Sequence, residues 1–322
     1  MDIPTLHIVA NSIPSAFYRT LKAVCENGID IRTEYDRKDS NGDYIDPPSK
    51  DARVLVEIKD PLSEPRFPPI SFCEIGVYIA ELLGIKDHLV VSNMKLMNNE
   101  RLESKEWPYT YHQRLCKYPH PLGGGLIDQL ELLVERLNKT PYSRRAVATT
   151  AIPYIDCNLK DDIPCLREVQ LRCFEHDFPL HNSLNMGTVW RSRDLYKAWC
   201  DNVIGMTFLQ HMLCREGKWK SNQVVIPGSY TDFSSSLHVY GQDLSAIYGN
   251  AEKGIKGFFD NYNEESFIDK SMTSEKVRDC LIIPQLENLL TKEKIKEWKF
   301  DTHSIKKIES LLYQFTTWNL LP

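Results

Sequence analysis

Residues 195–215 read LYKAWCDNVIGMTFLQHMLCR, with apolar side chains on every face of the helix that this spacing predicts. A helix that is hydrophobic all round belongs in the centre of a domain. On either side lie short β-rich runs at 145–152, 168–174 and 223–226, bounded by turn residues, which predict strands. A buried helix among strands argues for a mixed α/β (α+β) architecture.

Working outward, 127–138 (IDQLELLVERLN) is the clearest amphipathic helix, and 71–84 has helical spacing that Gly84 can end. The runs 6–10 and 54–58 predict further strands, separated by a polar loop at 37–50. From 253 onward charged helical segments alternate with loops, and Phe258, Phe259 and Trp318 are candidates to dock them. The expected division is therefore a catalytic domain over 1–252 and a helical extension over 253–322 packed on the same domain.

Across 322 residues the net charge is −5, with 42% hydrophobic and 26% charged residues. That composition excludes a disordered or fibrous chain and offers no basic face for nucleic acid, while leaving room for a local cationic pocket. No apolar run reaches membrane-spanning length, and the N-terminus lacks the pattern of a secretory signal, so a cytoplasmic address is expected, with no membrane partner. The nine cysteines fall without zinc-type spacing, which predicts reduced thiols and no metal site. His176 and His181 are expected to be solvated, and Gly123-Gly124-Gly125 to form a plain turn, because the Lys-Ser/Thr of a phosphate loop is missing.

The chemistry-bearing residues come in a fixed order: Ser143-Arg144-Arg145, Pro164-Cys165, Arg191-Ser192-Arg193-Asp194, Asn202 and His238-Val239-Tyr240. Cys165 offers a thiol that guanidinium groups can activate; taken alone it is as readily a buried structural thiol. Arg144, Arg145, Arg191 and Ser192 offer paired donors for a phosphate dianion. Asn202 presents an acceptor and a donor that complement uracil N3–H and O4, and a flipped amide would serve cytosine. Asp201 is adjacent, so a shift of one residue would reverse that preference.

In these residues the chain resembles the thymidylate synthase and pyrimidine-nucleotide hydroxymethylase family. The Pro-Cys, the Arg-Ser-x-Asp with Asn eleven residues after its Arg, the His-x-Tyr and Gln170 five residues after Cys165 all match, as do Tyr109–Arg114 and Ile127-Asp128-Gln129. The resemblance implies a mixed sheet with flanking helices that packs at a dimer interface. It implies Cys165 as the nucleophile at C6 of a pyrimidine nucleoside monophosphate, with 5,10-methylenetetrahydrofolate or a related pterin as one-carbon donor. Arg191 and Ser192 would hold the phosphate, and Arg144 and Arg145 would reach the phosphate of the partner subunit in a homodimer. His238 and Tyr240 would hold the sugar, Gln170 would help hold the nucleotide, Asp194 would lie against the base or the folate ring, Tyr111 near C5, and Glu81 would organise proton transfer. Arg37 or Lys38 would stand where the family has a further phosphate-binding cation.

The chain departs from the pattern at Leu166, where synthases usually carry His, at Trp190, where Gln is usual, and in a longer stretch between Cys165 and Arg191 around 175–184. The usual closing segment is not recognisable in 318–322. The expected activity is conversion of dUMP to dTMP. Hydroxymethylation of dUMP, dCMP or CMP follows if water reaches the methylene, and a nucleotide binder without catalysis is the reading from another class.

Overall fold

The computed structural model describes residues 2–70, 72, 74–98, 100–157, 159, 163–176, 181–220, 224–249 and 254–317. The chain divides into two compact units, one of Met1–Cys73, Val189–Ile204 and Ser229–Thr273, the other of Glu74–Thr188, Gly205–Gly228 and Ser274–Pro322.

In the first unit, β1 (Thr5–Ala10) pairs in parallel with β3 (Ser49–Ile58), and β2 (Ile29–Ile31) lies antiparallel to β3. The helix Ile13–Asn27 follows β1, capped by Ser12 and burying Ile13, Ala16, Phe17, Leu21 and Val24. Those positions repeat at helical spacing, a signal that the strand-and-turn reading of 1–70 passed over. Phe17 packs against Phe258 and Phe267, with ring centroids 6.2 and 5.8 Å away. Each such ring, fully buried, contributes roughly 2 kcal/mol, and Phe258 docks the later chain as expected.

The strand β10 (Val225–Val239) is far longer than the 223–226 expected, and residue 223 lies outside the described residues. Its Tyr230–Val239 portion runs antiparallel to β3. Between Ser234 and Leu237 the register slips, a bulge that inserts one extra residue. The strand β9 (Arg193–Asp194) pairs in parallel with Leu237 and His238 of β10. Parallel and antiparallel pairs together make the sheet mixed, as expected.

In the second unit a two-strand ribbon, β4 (Tyr118–Pro119) and β5 (Leu126–Ile127), is closed by the glycine turn. Gly123 and Gly125 have φ of +75° and +107°, the left-handed backbone that glycine tolerates best, so this is the plain turn anticipated. The strands β8 (His181–Trp190), β7 (Leu166–His176) and β6 (Val147–Thr149) lie side by side in that order. The helix Gln129–Lys139 covers them with Leu130, Leu133, Val134 and Leu137, capped by Asp128. The helix Ile75–Leu82 ends at Gly84, whose φ is +86°.

The long apolar helix runs Trp199–Glu216, and its Met206, Phe208, Leu209 and Met212 are buried within the second unit. A Cβ at Gly205 would stand 2.6 Å from the Tyr78 ring and a Leu82 methyl, so any larger residue here would force those side chains to shift. Phe208 stacks on Phe315 of the helix Thr302–Thr317 at 5.7 Å. Trp318 and the 318–322 segment lie outside the described residues, as do Asp161, Asp162 and 177–180. Among the described residues no helix is long and apolar enough to cross a membrane, and the eight described cysteines are free thiols.

Candidate active site

The residues singled out in the sequence fall in both units. Cys165, Tyr111, Glu81, Gln170, Arg144 and Arg145 belong to the second, and Arg191, Ser192, Asp194, Asn202, His238 and Tyr240 to the first.

Cys165 is half-buried at the mouth of β7, between buried Pro164 and buried Leu166. Three contacts fix that turn. The Leu166 N–H donates to Tyr111 Oη at 3.4 Å, the Thr150 hydroxyl donates to Leu166 O, and Arg167 Nη1 donates to Pro164 O at 3.3 Å. Tyr111 is thereby held one residue from the thiol. Arg167, which the sequence reading did not single out, brings a guanidinium to the carbonyl of Pro164, the residue before Cys165; its place two residues after Cys165 was the available signal. Asp156 accepts from buried Arg114 at 2.9 Å and lies 3.7 Å from Arg167, while Arg114 also donates to Thr150 O. Gln129 completes the frame by donating to Arg114 O and Thr149 O and accepting from Thr149 N–H.

Three other thiols are poor nucleophiles. Burial pushes Cys25 and Cys173 up to about 11 and Cys116 up to about 12, so little thiolate forms near neutrality.

Glu81 pairs with Lys86 at 3.0 Å, and burial raises its carboxyl above the usual range although Lys86 opposes this. Lys86 sits over the rings of Trp107 and Trp298. Gln170 is exposed on β7 and donates to Glu168 at 3.1 Å. Arg144 and Arg145 are exposed ahead of β6, and no side-chain partner engages them among the described residues. Arg37, by contrast, forks onto Asp46 at 2.7 and 2.6 Å, and Lys38 lies over the Tyr44 ring, so both cations of that loop are engaged locally. His176 and His181 stack on one another at 4.6 Å, and His176 Nε2 lies 2.7 Å from Ser183 Oγ.

The first unit gathers its residues around β10. The pairing of β9 with β10 sets Asp194 beside His238, and Leu195 N–H donates to His238 O. Asp194 Oδ1 accepts from the backbone N–H of Tyr196 and Lys197, and burial raises its carboxyl despite those bonds. The His238 and Tyr240 rings meet edge to face at 4.6 Å. Arg191 is exposed, Ser192 half-buried, and Asn202 half-buried in the first turn of the long helix. Between them Arg193 is buried, with its guanidinium 4.4 Å from the Trp190 ring and 5.8 Å from Trp199. It lies 2.8 Å from Asp232, an ion pair set off the axis of a straight hydrogen bond, and donates to Ser234 at 3.0 Å.

The second unit thus holds a thiol close to a phenol, and the first unit a histidine–tyrosine pair. A family model described as thymidylate synthase matches residues 86–309. A protein of Methanococcoides burtonii, provisionally named a thymidylate synthase, is 31% identical over 78% of this chain and 94% of its own length. One of Methanosarcina mazei, named in the same way, is 28% identical over 77% of this chain and 95% of its own. The thermostable thymidylate synthase A from Bacillus subtilis superposes with a TM-score of 0.50 at 20% identity, covering 73% of this chain and 82% of that one, a likeness of fold. The chain belongs to the thymidylate synthase family and is a transferase of that type.

Proposed function

We propose that this transferase delivers a one-carbon unit to C5 of a pyrimidine nucleoside monophosphate, converting dUMP to dTMP. The observation that carries the reading is the turn at Cys165, fixed by Tyr111, Thr150 and Arg167 at the mouth of β7.

The Cys165 thiolate adds to the electron-poor C6, which makes C5 a carbon nucleophile. Arg167, bonded to the carbonyl of Pro164, is the cation assigned to favour the thiolate, because a positive charge near a thiol stabilises its ionised form. Arg191 and Ser192 bind the phosphate, and Arg144 and Arg145 serve the phosphate site of the partner subunit in a homodimer. That both are exposed without a side-chain partner among the described residues supports this division of labour. Gln170 helps to hold the nucleotide, His238 and Tyr240 hold the sugar hydroxyl, and the Asn202 amide meets N3–H and O4 of uracil. Tyr111 stands by C5 and takes part in removing its proton. The raised carboxyl of Glu81 lets that residue hold or release a proton nearer neutrality.

The first unit's residues fit a reduced pterin. Asp194 Oδ2 has no hydrogen-bond partner among the described residues, so it can accept from an N–H-bearing ring. Tyr196 and Lys197, which hold Asp194, also line a cavity of about 350 Å³ walled by Phe258 and Tyr262. When bound, methylenetetrahydrofolate supplies the one-carbon unit at the oxidation level of formaldehyde and the hydride that completes a methyl group. Leucine at 166, in place of a polar residue, keeps the surroundings of Cys165 apolar and buried.

Mass spectrometry of the products formed from dUMP, dCMP and CMP, each incubated with methylenetetrahydrofolate, tests the reading. dTMP from dUMP alone is expected. A hydroxymethyl product would reassign the final step, and no product from any of the three would overturn the activity.

A further inference from the structure

His238 is 8% exposed, and its Nε2 is buried with no hydrogen-bond partner among the described residues. A buried polar atom left in that state is costly, so its protonation decides what can bind there. The register of β3 and β10 sets Asp51 opposite His238, and the bulge between Ser234 and Leu237 contains Ser236. Ser236 Oγ lies 3.0 Å from both Oδ1 and Oδ2 of Asp51 and 3.3 Å from His238 Nδ1.

The proton count along this chain has one solution. A carboxylate only accepts, so the single hydroxyl hydrogen of Ser236 goes to Asp51. Ser236 Oγ is then an acceptor toward Nδ1, which must carry the imidazole hydrogen. The neutral ring has no second hydrogen, and Nε2 is left as an acceptor. Around the ring stand Asp51 from β3, Asp194 from β9, Glu34 from the segment after β2, and Tyr240. The acidic groups favour an imidazolium, but burial outweighs them and holds the pKa of His238 below its ordinary value.

We propose that Asp51 and Ser236 are positioning residues that fix His238 as a hydrogen-bond acceptor, so that the site selects a ligand presenting a hydroxyl donor to Nε2. In the nucleotide reading above, on which the identity of the ligand rests, that donor is the sugar hydroxyl. Its oxygen then remains available to accept a second bond. A sugar lacking the hydroxyl leaves Nε2 buried and unmet, which makes His238 a specificity determinant as well as a contact.

Two readouts on the full-length chain test this. In ¹⁵N-histidine NMR, with His238→Gln used for assignment, His238 is expected to show a protonated Nδ1 and an unprotonated Nε2 at neutral pH. Asp51→Asn should move the hydrogen to Nε2, because the amide can donate to Ser236 and release its hydroxyl hydrogen toward Nδ1. Ser236→Ala removes the relay with a smaller change and serves if Asp51→Asn does not fold. In equilibrium binding, dUMP should be preferred over its 3′-deoxy analogue by about tenfold or more in the wild type, and the preference should collapse in either variant. A protonated Nε2 in the wild type, or a preference that survives both substitutions, overturns the proposal. Failure of the wild type to bind either nucleotide, with the NMR result as expected, overturns the nucleotide reading and leaves the acceptor assignment standing.

Discussion

Two arginine-bearing segments put the same residue type to opposite uses. At 143–145 two guanidinium groups stand exposed, with no side-chain partner among the described residues. At 191–194 the second arginine, Arg193, is sealed between Trp190 and Trp199 and paired with Asp232, the Arg193 and Asp232 side chains being 2% and 0% exposed. A solvated arginine keeps its charge available to a ligand at little cost to the fold. A buried one spends its charge on an internal partner and locks the backbone that carries it, here the strand β9 that Arg193 opens. The lesson is that proximity to a binding motif does not make a cation a ligand; burial and partnership sort the roles.

The largest effect should come from the one residue that neither arginine segment can replace. Cys165→Ala is expected to abolish turnover while equilibrium dialysis still detects nucleotide binding, since phosphate and sugar contacts lie elsewhere. Loss of binding as well would mean that the thiol has been given the wrong role.

Next, Asp232→Ala should destabilise the fold by about 3–5 kcal/mol in urea titrations, because it strands a buried guanidinium. Replacing both partners, with Arg193→Met added to Asp232→Leu, should restore most of that loss. If the double variant is no better than the single one, the pair is not acting as a unit.

The second unit has a buried charge cluster of its own at Asp87. Burial pushes its carboxyl up, but His112 at 2.7 Å, Lys117 at 2.9 Å and the Thr110 hydroxyl outweigh this and hold it at about 2. A depressed folded pKa gives stability that is fully present above the unfolded value near 4 and lost as the pH falls through 2. Asp87→Asn should therefore cost about 1–2 kcal/mol at neutral pH, after allowance for screening, and flatten the acid limb between pH 4 and 2. An unchanged acid limb would show that the cluster contributes nothing net.

The smallest stability effect is expected at the exposed pair. Arg144→Ala should alter stability by less than about 0.5 kcal/mol while lowering activity. Mixing that variant with Cys165→Ala chains should restore turnover in hybrid dimers, and absence of complementation would place Arg144 in its own subunit's site.

The buried long helix, the amphipathic 127–138 segment and the strands around Cys165 were legible because apolar spacing alone specifies them. The strand β10 was not, and the reason is the Arg193 network. Its inward positions include Asp232 and Ser234, so polar residues occupy the places where alternation should show hydrophobic ones. The strand β6 proved shorter than 145–152 because the side chains of Thr149 and Thr150 bond the carbonyls of Arg167 and Leu166, extending the connection without ladder geometry. Among the proposed site residues, motif spacing pointed to Cys165, Arg191 and His238. It could not reveal Arg167, Asp51 or Ser236, whose roles follow from where β7, β3 and β10 place them.

The central claim is that Cys165 opens a covalent path at C6 that activates C5. Release of tritium from [5-³H]dUMP, with Cys165→Ala as control, tests it most directly. The wild type is expected to release tritium in a Cys165-dependent manner when methylenetetrahydrofolate is present. No release above the Cys165→Ala background would contradict the account.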